Sequence, residues 1–257
     1  MELTDPPTNI KTGTITTGDG ISLTYTQQGP DAGKPLLFIH GWRQSAAQWK
    51  RQVVRLAADL NDLLVKLDLR GLTIVSHSMG CCVTWAFWDL YPDTHKLIRK
   101  LVLVDEPAML VADPNWPEGK AKELATIFTP DAVFNTAYNM TAGTPPLIRS
   151  MFSSSFPDEE YNWVMEQNWK ISDKNAALLL TDHAFNDWSD VLPRINVPTL
   201  VVAGEISILP AAGVEWVASQ IPGAKCCTFS AAEKGSHFMF WENAEKFNPL
   251  IEAFIME

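Results

Sequence analysis

The sequence predicts an α/β fold with a mostly parallel central sheet and helices on both faces, and three observations predict it. Short, wholly apolar runs recur in PLLFIHGW, LTIVSHS, KLVLVDEP and PTLVVAGE, and a run of that length without polar alternation reads as a strand buried on both faces. Stretches with apolar residues at helical spacing lie between or directly after these runs, as in RLAADLNDLLVKL and CVTWAFWDLY. Strand and helix therefore alternate, which is the pattern of right-handed βαβ crossovers.

In chain order, residues 14–28 alternate polar and apolar positions around Gly18-Asp19-Gly20 and read as a solvent-facing hairpin. The first buried strand follows at Leu36 to Ile39 and ends in His40-Gly41-Trp42. Residues 113–194 break the rhythm: they hold no βαβ repeat and many large aromatics, among them Trp116, Trp163, Trp169 and Trp188. This segment reads as a helical cap inserted into a core made of residues 1–112 and 195–257. Most of its aromatics form its own interior, and a cap set over strand ends encloses an apolar pocket. The remainder returns to helix, strand, loop and a closing amphipathic helix.

Composition narrows the function. The chain has 257 residues, 46% hydrophobic and 19% charged, which suits one domain with a large insertion. Its formal charge of -10 speaks against a nucleic-acid partner, which needs a basic footprint. The apolar runs are far shorter than the ~20 residues that cross a bilayer, and the start MELTDPPTNIKTG has neither the basic nor the apolar region of a signal peptide. A cytoplasmic protein without membrane contact, monomeric or homodimeric, is the expectation. The cysteines form two adjacent pairs, Cys81/Cys82 and Cys226/Cys227, without CxxC spacing. They read as small buried hydrophobes in a reducing compartment. No GxGxxG, P-loop or metal-ligand spacing is present, so no cofactor and no metal are expected, and the partner is a small-molecule substrate.

The sharpest chemical signal is Val75-Ser76-His77-Ser78-Met79-Gly80, set between a buried strand and a helix. It matches the nucleophile elbow GxSxG with Ser76 in place of the first glycine, and it makes Ser78 the candidate nucleophile. Acyl transfer also needs donors where negative charge develops, and the backbone N–H groups of Trp42 and Met79 are candidates for an oxyanion hole. A general base must take the proton from Ser78, and imidazole suits that work near neutral pH. His95 reads as structural; His183, in the cap, reads as a surface residue, with contact to a substrate as the alternative; His40 and His77 sit too close to the elbow backbone. His237, in a loop after the last strand, is the candidate base.

With these pieces named, the chain resembles the α/β-hydrolase family, in the branch of small non-haem chloroperoxidase-like esterases. The matching segments are HGW, AADLNDLLVKLDL, SHSMG, LVLVD, PTLVVAGE and GSHF, in family order. The resemblance implies an α/β-hydrolase fold and a Ser-acid-His triad. Two departures stand out. Where the family acid is expected after PTLVVAGE, the chain has Ser207, so the acid is either Glu205 or a residue after the earlier strand; Asp105 comes first, Glu106 second. Relative to the family, one strand-loop unit of about two dozen residues is also missing near residues 50–56.

The leading function is hydrolysis of a small, largely apolar ester, lactone or related carbonyl compound, with His40, Trp42, His77, Trp163 and Trp188 as substrate-binding candidates. Gly41-Trp42, Ser76-His77-Ser78, Asp105 and His237-Phe238 also resemble cofactor-independent 3-hydroxy-4-oxoquinoline dioxygenases. That resemblance implies an alternative in which His237 and Asp105 act as a base and Ser78 only donates a hydrogen bond. A non-catalytic binder is the third reading, since a fold does not fix activity.

Overall fold

The computed structural model describes residues 11–27, 35–44, 57–113, 115–117, 119–120, 124 and 126–257. The hairpin pairs β1 (Lys11–Thr16) with β2 (Ser22–Gln27), antiparallel, with Thr16 opposite Ser22. Gly20 supplies the left-handed φ of 86° at the turn. Ile15 and Leu23, the buried side of the hairpin, pack on Leu63.

The central sheet contains β3 (Leu36–Ile39), β4 (Leu72–His77), β5 (Ile98–Val104), β6 (Thr199–Gly204) and β7 (Lys225–Phe229) in that spatial order, every pair parallel. Helices follow in chain order as α1 (Ala57–Lys66), α2 (Met79–Leu90), α3 (Pro130–Tyr138), α4 (Met140–Ser150), α5 (Asp158–Asn168), α6 (Asp173–Phe185), α7 (Ala211–Gln220), α8 (Met239–Glu242) and α9 (Ala244–Met256). All of β4 and β6 is buried, because both sheet faces are covered and a continuous apolar run satisfies both. Side chains still alternate across the strands. Ile74, Leu101, Leu103, Val201 and Ala203 join Leu60, Leu64, Trp85, Val214 and Val217 on the side of α1, α2 and α7. Val75, Val102, Val104, Leu200 and Val202 join Phe247, Ile251 and Phe254 of α9, together with Met140, Ile148 and Leu180 from the helices between β5 and β6.

Two expectations are corrected. β3 is not buried on both faces: Leu36 is exposed, Leu37 and Phe38 are half-buried, and only Ile39 is buried. Among the described strands β3 pairs with β4 only, at one end of the sheet. The cysteines do not share one environment either. Cys81 and Cys82 are buried in α2, whereas Cys226 is exposed and Cys227 half-buried. The latter pair lies on β7, which pairs only with β6 among the described strands.

The missing strand-loop unit near residues 50–56 lies outside the described residues. Among the described residues no helix is long and apolar enough to cross a membrane.

Candidate active site

Ser78 joins β4 to α2 at φ 53° and ψ −135°, a conformation that a residue with a Cβ adopts only when its surroundings impose it. The imposing contacts are visible. Its N–H donates to Val104 O at 2.9 Å, and its carbonyl accepts from Cys81 N–H at 2.7 Å. Gly80 allows the helix to press on the preceding strand, since a Cβ there would lie 2.5 Å from Ile39 O. Gly41 does the same for the loop after β3, where a Cβ would lie 2.7 Å from Ser78 Cβ. The loop bearing Trp42 is thereby held against Ser78, and Met79, as the first residue of α2, has a backbone N–H with no acceptor inside its helix.

His237 and Asp105 meet from 132 residues apart: His237 Nδ1 lies 2.6 Å from Asp105 Oδ2, and both side chains are buried. Asp105 also has a left-handed φ, 53°. Its Oδ1 accepts from Gly204 N–H at 3.2 Å, and its Oδ2 accepts from Ser207 Oγ. Ser207, standing where the family acid was expected, thus supports the carboxyl that reaches the imidazole from the neighbouring strand. Burial pushes Asp105 above the ordinary carboxylate range, against the pull of His237, Ser207 and the Gly204 N–H, each of which favours the charged form. The His237 loop is seated by Gly235, whose carbonyl accepts from Ile206 N–H at 2.9 Å and lies where a Cβ on Gly204 would be, at 2.3 Å.

The other two acid candidates go elsewhere. Glu205 is exposed and its Oε2 accepts from Ala231 N–H at 2.6 Å. Glu106 is buried, with Oε1 2.8 Å from His183 Nε2 and 3.9 Å from Cys82 Sγ. His183 is therefore not a surface residue: α6 turns it inward, where it is 7% exposed. Cys82, Glu106 and His183 bring three possible ligand atoms within 4.8 Å of one another. Burial, and then the Glu106 carboxyl, push the Cys82 thiol well up.

One cavity of about 40 Å³ brings the chemistry together. Ser78, His237, Glu106 and His183 are its polar lining, and Trp42, Leu110, Phe128, Met151, Leu180 and Leu209 are among its apolar lining. His40, His77, Trp163 and Trp188, expected to bind substrate, do not line it. His77 serves the base loop instead: its Nε2 lies 2.8 Å from the His237 carbonyl, and its Nδ1 lies 3.1 Å from Gln44 Nε2. Burial, followed by His237, lowers His77 well below the ordinary imidazole range, so the neutral ring donates from Nε2 and accepts at Nδ1. The His40 ring Nδ1 lies 3.0 Å from the carbonyl of Gly41. Trp163 packs on Trp241, ring centres 5.3 Å apart, and Trp188 packs against the core on the α2 side.

Sequence reasoning missed Arg43. This buried guanidinium donates to Asn168 O at 3.3 Å, Thr144 Oγ1 at 3.1 Å and Asp173 Oδ1 at 2.9 Å, and it lies 4.9 Å from the Trp169 ring centre. Trp42 Nε1 donates to Ala176 O at 2.8 Å in the same region. The HGWR loop is thus tied to α4, α5 and α6. An Arg directly after HGW was the available signal, but its partners lie more than a hundred residues away.

No family model matches the chain. Non-heme chloroperoxidase CPO-A1 of Kitasatospora aureofaciens is 25% identical over 91% of this chain and 95% of that protein. The bromoperoxidase of Bacillus anthracis superposes with a TM-score of 0.80 at 16% identity, covering 96% of this chain and all of that one. The esterase EaEST of Exiguobacterium antarcticum superposes equally well, at 0.80 and 19% identity over 95% of this chain and 99% of that chain. With a parallel sheet, a left-handed serine between strand and helix, and similarity along nearly its whole length, the chain has the α/β-hydrolase fold and resembles the non-haem chloroperoxidases and esterases.

Proposed function

We propose that this chain is a serine hydrolase that cleaves a small, largely apolar ester, lactone or related carbonyl compound through an acyl-enzyme on Ser78. One observation carries the reading: an imidazole bonded at 2.6 Å to a buried carboxyl borders the same cavity as a serine held at positive φ. Ser78 Oγ attacks the carbonyl carbon while His237 Nε2 takes its proton. Asp105 holds Nδ1–H and stabilises the imidazolium. The N–H groups of Trp42 and Met79 receive the charge on the former carbonyl oxygen. His237 returns the proton to the leaving oxygen, and water then releases the acid by the same steps. The cavity has room for roughly three ordered waters, which favours short acyl groups.

Residues 113–194 act in this reading as a helical cap on the core of residues 1–112 and 195–257. Its support is that Leu147, Met151, Leu180 and His183 line the cavity, and that Trp42 and Arg43 bond to α4–α6.

The test is a fluorophosphonate, which phosphonylates an activated serine, followed by peptide mapping. One adduct on Ser78 is expected, absent in His237→Ala. No adduct on the wild-type protein would remove Ser78 as nucleophile, and oxygen uptake with a hydroxyquinolone would then examine His237 and Asp105 as a base toward oxygen chemistry.

A further inference from the structure

The cavity holds a second imidazole–carboxyl pair that the proposed triad does not use. Glu106 follows Asp105 directly, yet the two side chains diverge: Asp105 serves His237, while Glu106 enters the cavity wall beside His183. The bonds on Glu106 are one-sided. His183 Nε2 and Cys82 Sγ both approach Oε1, whereas Oε2 has no hydrogen-bond partner and is buried in a residue only 3% exposed. A buried carboxyl oxygen without a donor is costly and uncommon. Its position on the lining of the cavity that also holds Ser78 says what would relieve it: a donor carried by the bound molecule. Most of the remaining lining is apolar, so Glu106 and His183 are the polar features available to orient a substrate apart from Ser78 and His237.

We infer that Glu106, positioned by His183, is a specificity subsite for a hydrogen-bond donor close to the scissile carbonyl, so that the favoured substrates are short esters bearing a hydroxyl or amine rather than plain alkanoyl esters. The inference rests on the hydrolase reading for its substrate class. The small cavity puts the donor within a few atoms of the carbonyl that Ser78 attacks. His183 Nε2, bound to Oε1, holds the carboxyl in place and leaves Oε2 as the acceptor still without a bond.

The experiment compares methyl butanoate, methyl 3-hydroxybutanoate and methyl 3-aminobutanoate by kcat/KM in wild type, Glu106→Gln and Glu106→Leu. The ratio of donor ester to plain ester within each protein is the readout, so a general change in activity cancels. Wild type should favour a donor ester by about tenfold, the discrimination expected of one charge-assisted hydrogen bond. The hydroxy and amino arms tell which donor is preferred. Glu106→Leu should bring the ratio to about one, and Glu106→Gln, which keeps the shape and one acceptor, should fall between. A wild-type ratio near one, or an unchanged ratio in Glu106→Leu, overturns the inference.

Binding of 4-hydroxy-2-pentanone against 2-pentanone, followed by tryptophan fluorescence, reads the subsite without catalysis. Preference for the hydroxyketone with no fluorophosphonate adduct on Ser78 would keep the subsite and discard the hydrolase reading. An adduct without that preference would do the reverse.

Discussion

A carboxyl buried beside an imidazole answers two opposed demands, and Asp105 shows both. Burial raises its pKa, while the bonds from His237, Ser207 and Gly204 N–H pull the other way and do not fully offset it. The folded protein therefore holds this proton to higher pH than the unfolded chain does. The stabilisation from Asp105 is complete below the ordinary carboxylate range and is lost as pH rises through the elevated folded value. Above that folded value the residue is a cost to stability, which the proposed mechanism accepts because an Asp105 carboxylate would fix the tautomer of His237. Asp105→Asn should cut turnover by about 10³–10⁴-fold while raising the unfolding temperature at pH 7 by about 2–4 °C, and the thermal gain should shrink as pH is lowered toward 4. Turnover equal to wild type would remove Asp105 from the mechanism. The candidacy of Ser78 and His237 as the reacting pair was readable from VSHSMG and GSHF, since elbow and base loop are local patterns beside a strand, and it remains a proposal that the fluorophosphonate test decides. The choice among Asp105, Glu106 and Glu205 was not, because each of the three follows a strand and only the paths of those loops separate them.

At the scale of elements, the loop after β3 is positioned from two sides. Gly41 brings it against Ser78, and Arg43 ties it to α4, α5 and α6 through Thr144, Asn168 and Asp173. The hydrogen bond from Thr141 and then that from Arg43 lower the Asp173 pKa, so this acid is ionised across the neutral range. Arg43→Met should lose roughly 2 kcal/mol, because hydrogen bonds to a charged group are each worth about 1.5–3 kcal/mol and Asp173 is partly solvated. That corresponds to a fall of about 4–8 °C in a thermal melt. An unchanged melt would show that the guanidinium's bonds are no better than those of water. Ser153 makes a similar tie: its N–H donates to Glu242 Oε1 at 2.9 Å, and Glu242 also accepts from Ser236 Oγ next to His237. The lack of a βαβ repeat and the many aromatics marked residues 113–194 as a helical stretch, but neither carries information on which side chains cross from one element to another.

For the whole molecule, the two layers on either side of the sheet give the four cysteines separate fates. Cys81 and Cys82 lie in the layer on the α2 side, where burial and the Glu106 carboxyl push both thiols up. Cys226 is exposed on β7, its thiol raised by partial burial and then by Glu215. Because the thiolate is the reactive form, a disulfide reagent should modify Cys226 first in the native protein and reach Cys81 and Cys82 only on unfolding. Peptide mapping that found Cys81 or Cys82 labelled first would contradict the packing. The sequence by itself determined the order of strands and helices, the parallel sheet with both faces covered, and the serine and histidine loops, since these depend on local periodicity, turn chemistry and the lengths of apolar runs. Only the tertiary structure decided which carboxyl reaches His237, that Glu106 and His183 pair across 77 residues, and which aromatics line the cavity. Those outcomes depend on the register of β5 beside β6, on the positive φ at Asp105 and on the packing of α6 over the strand ends, which no short stretch of residues specifies.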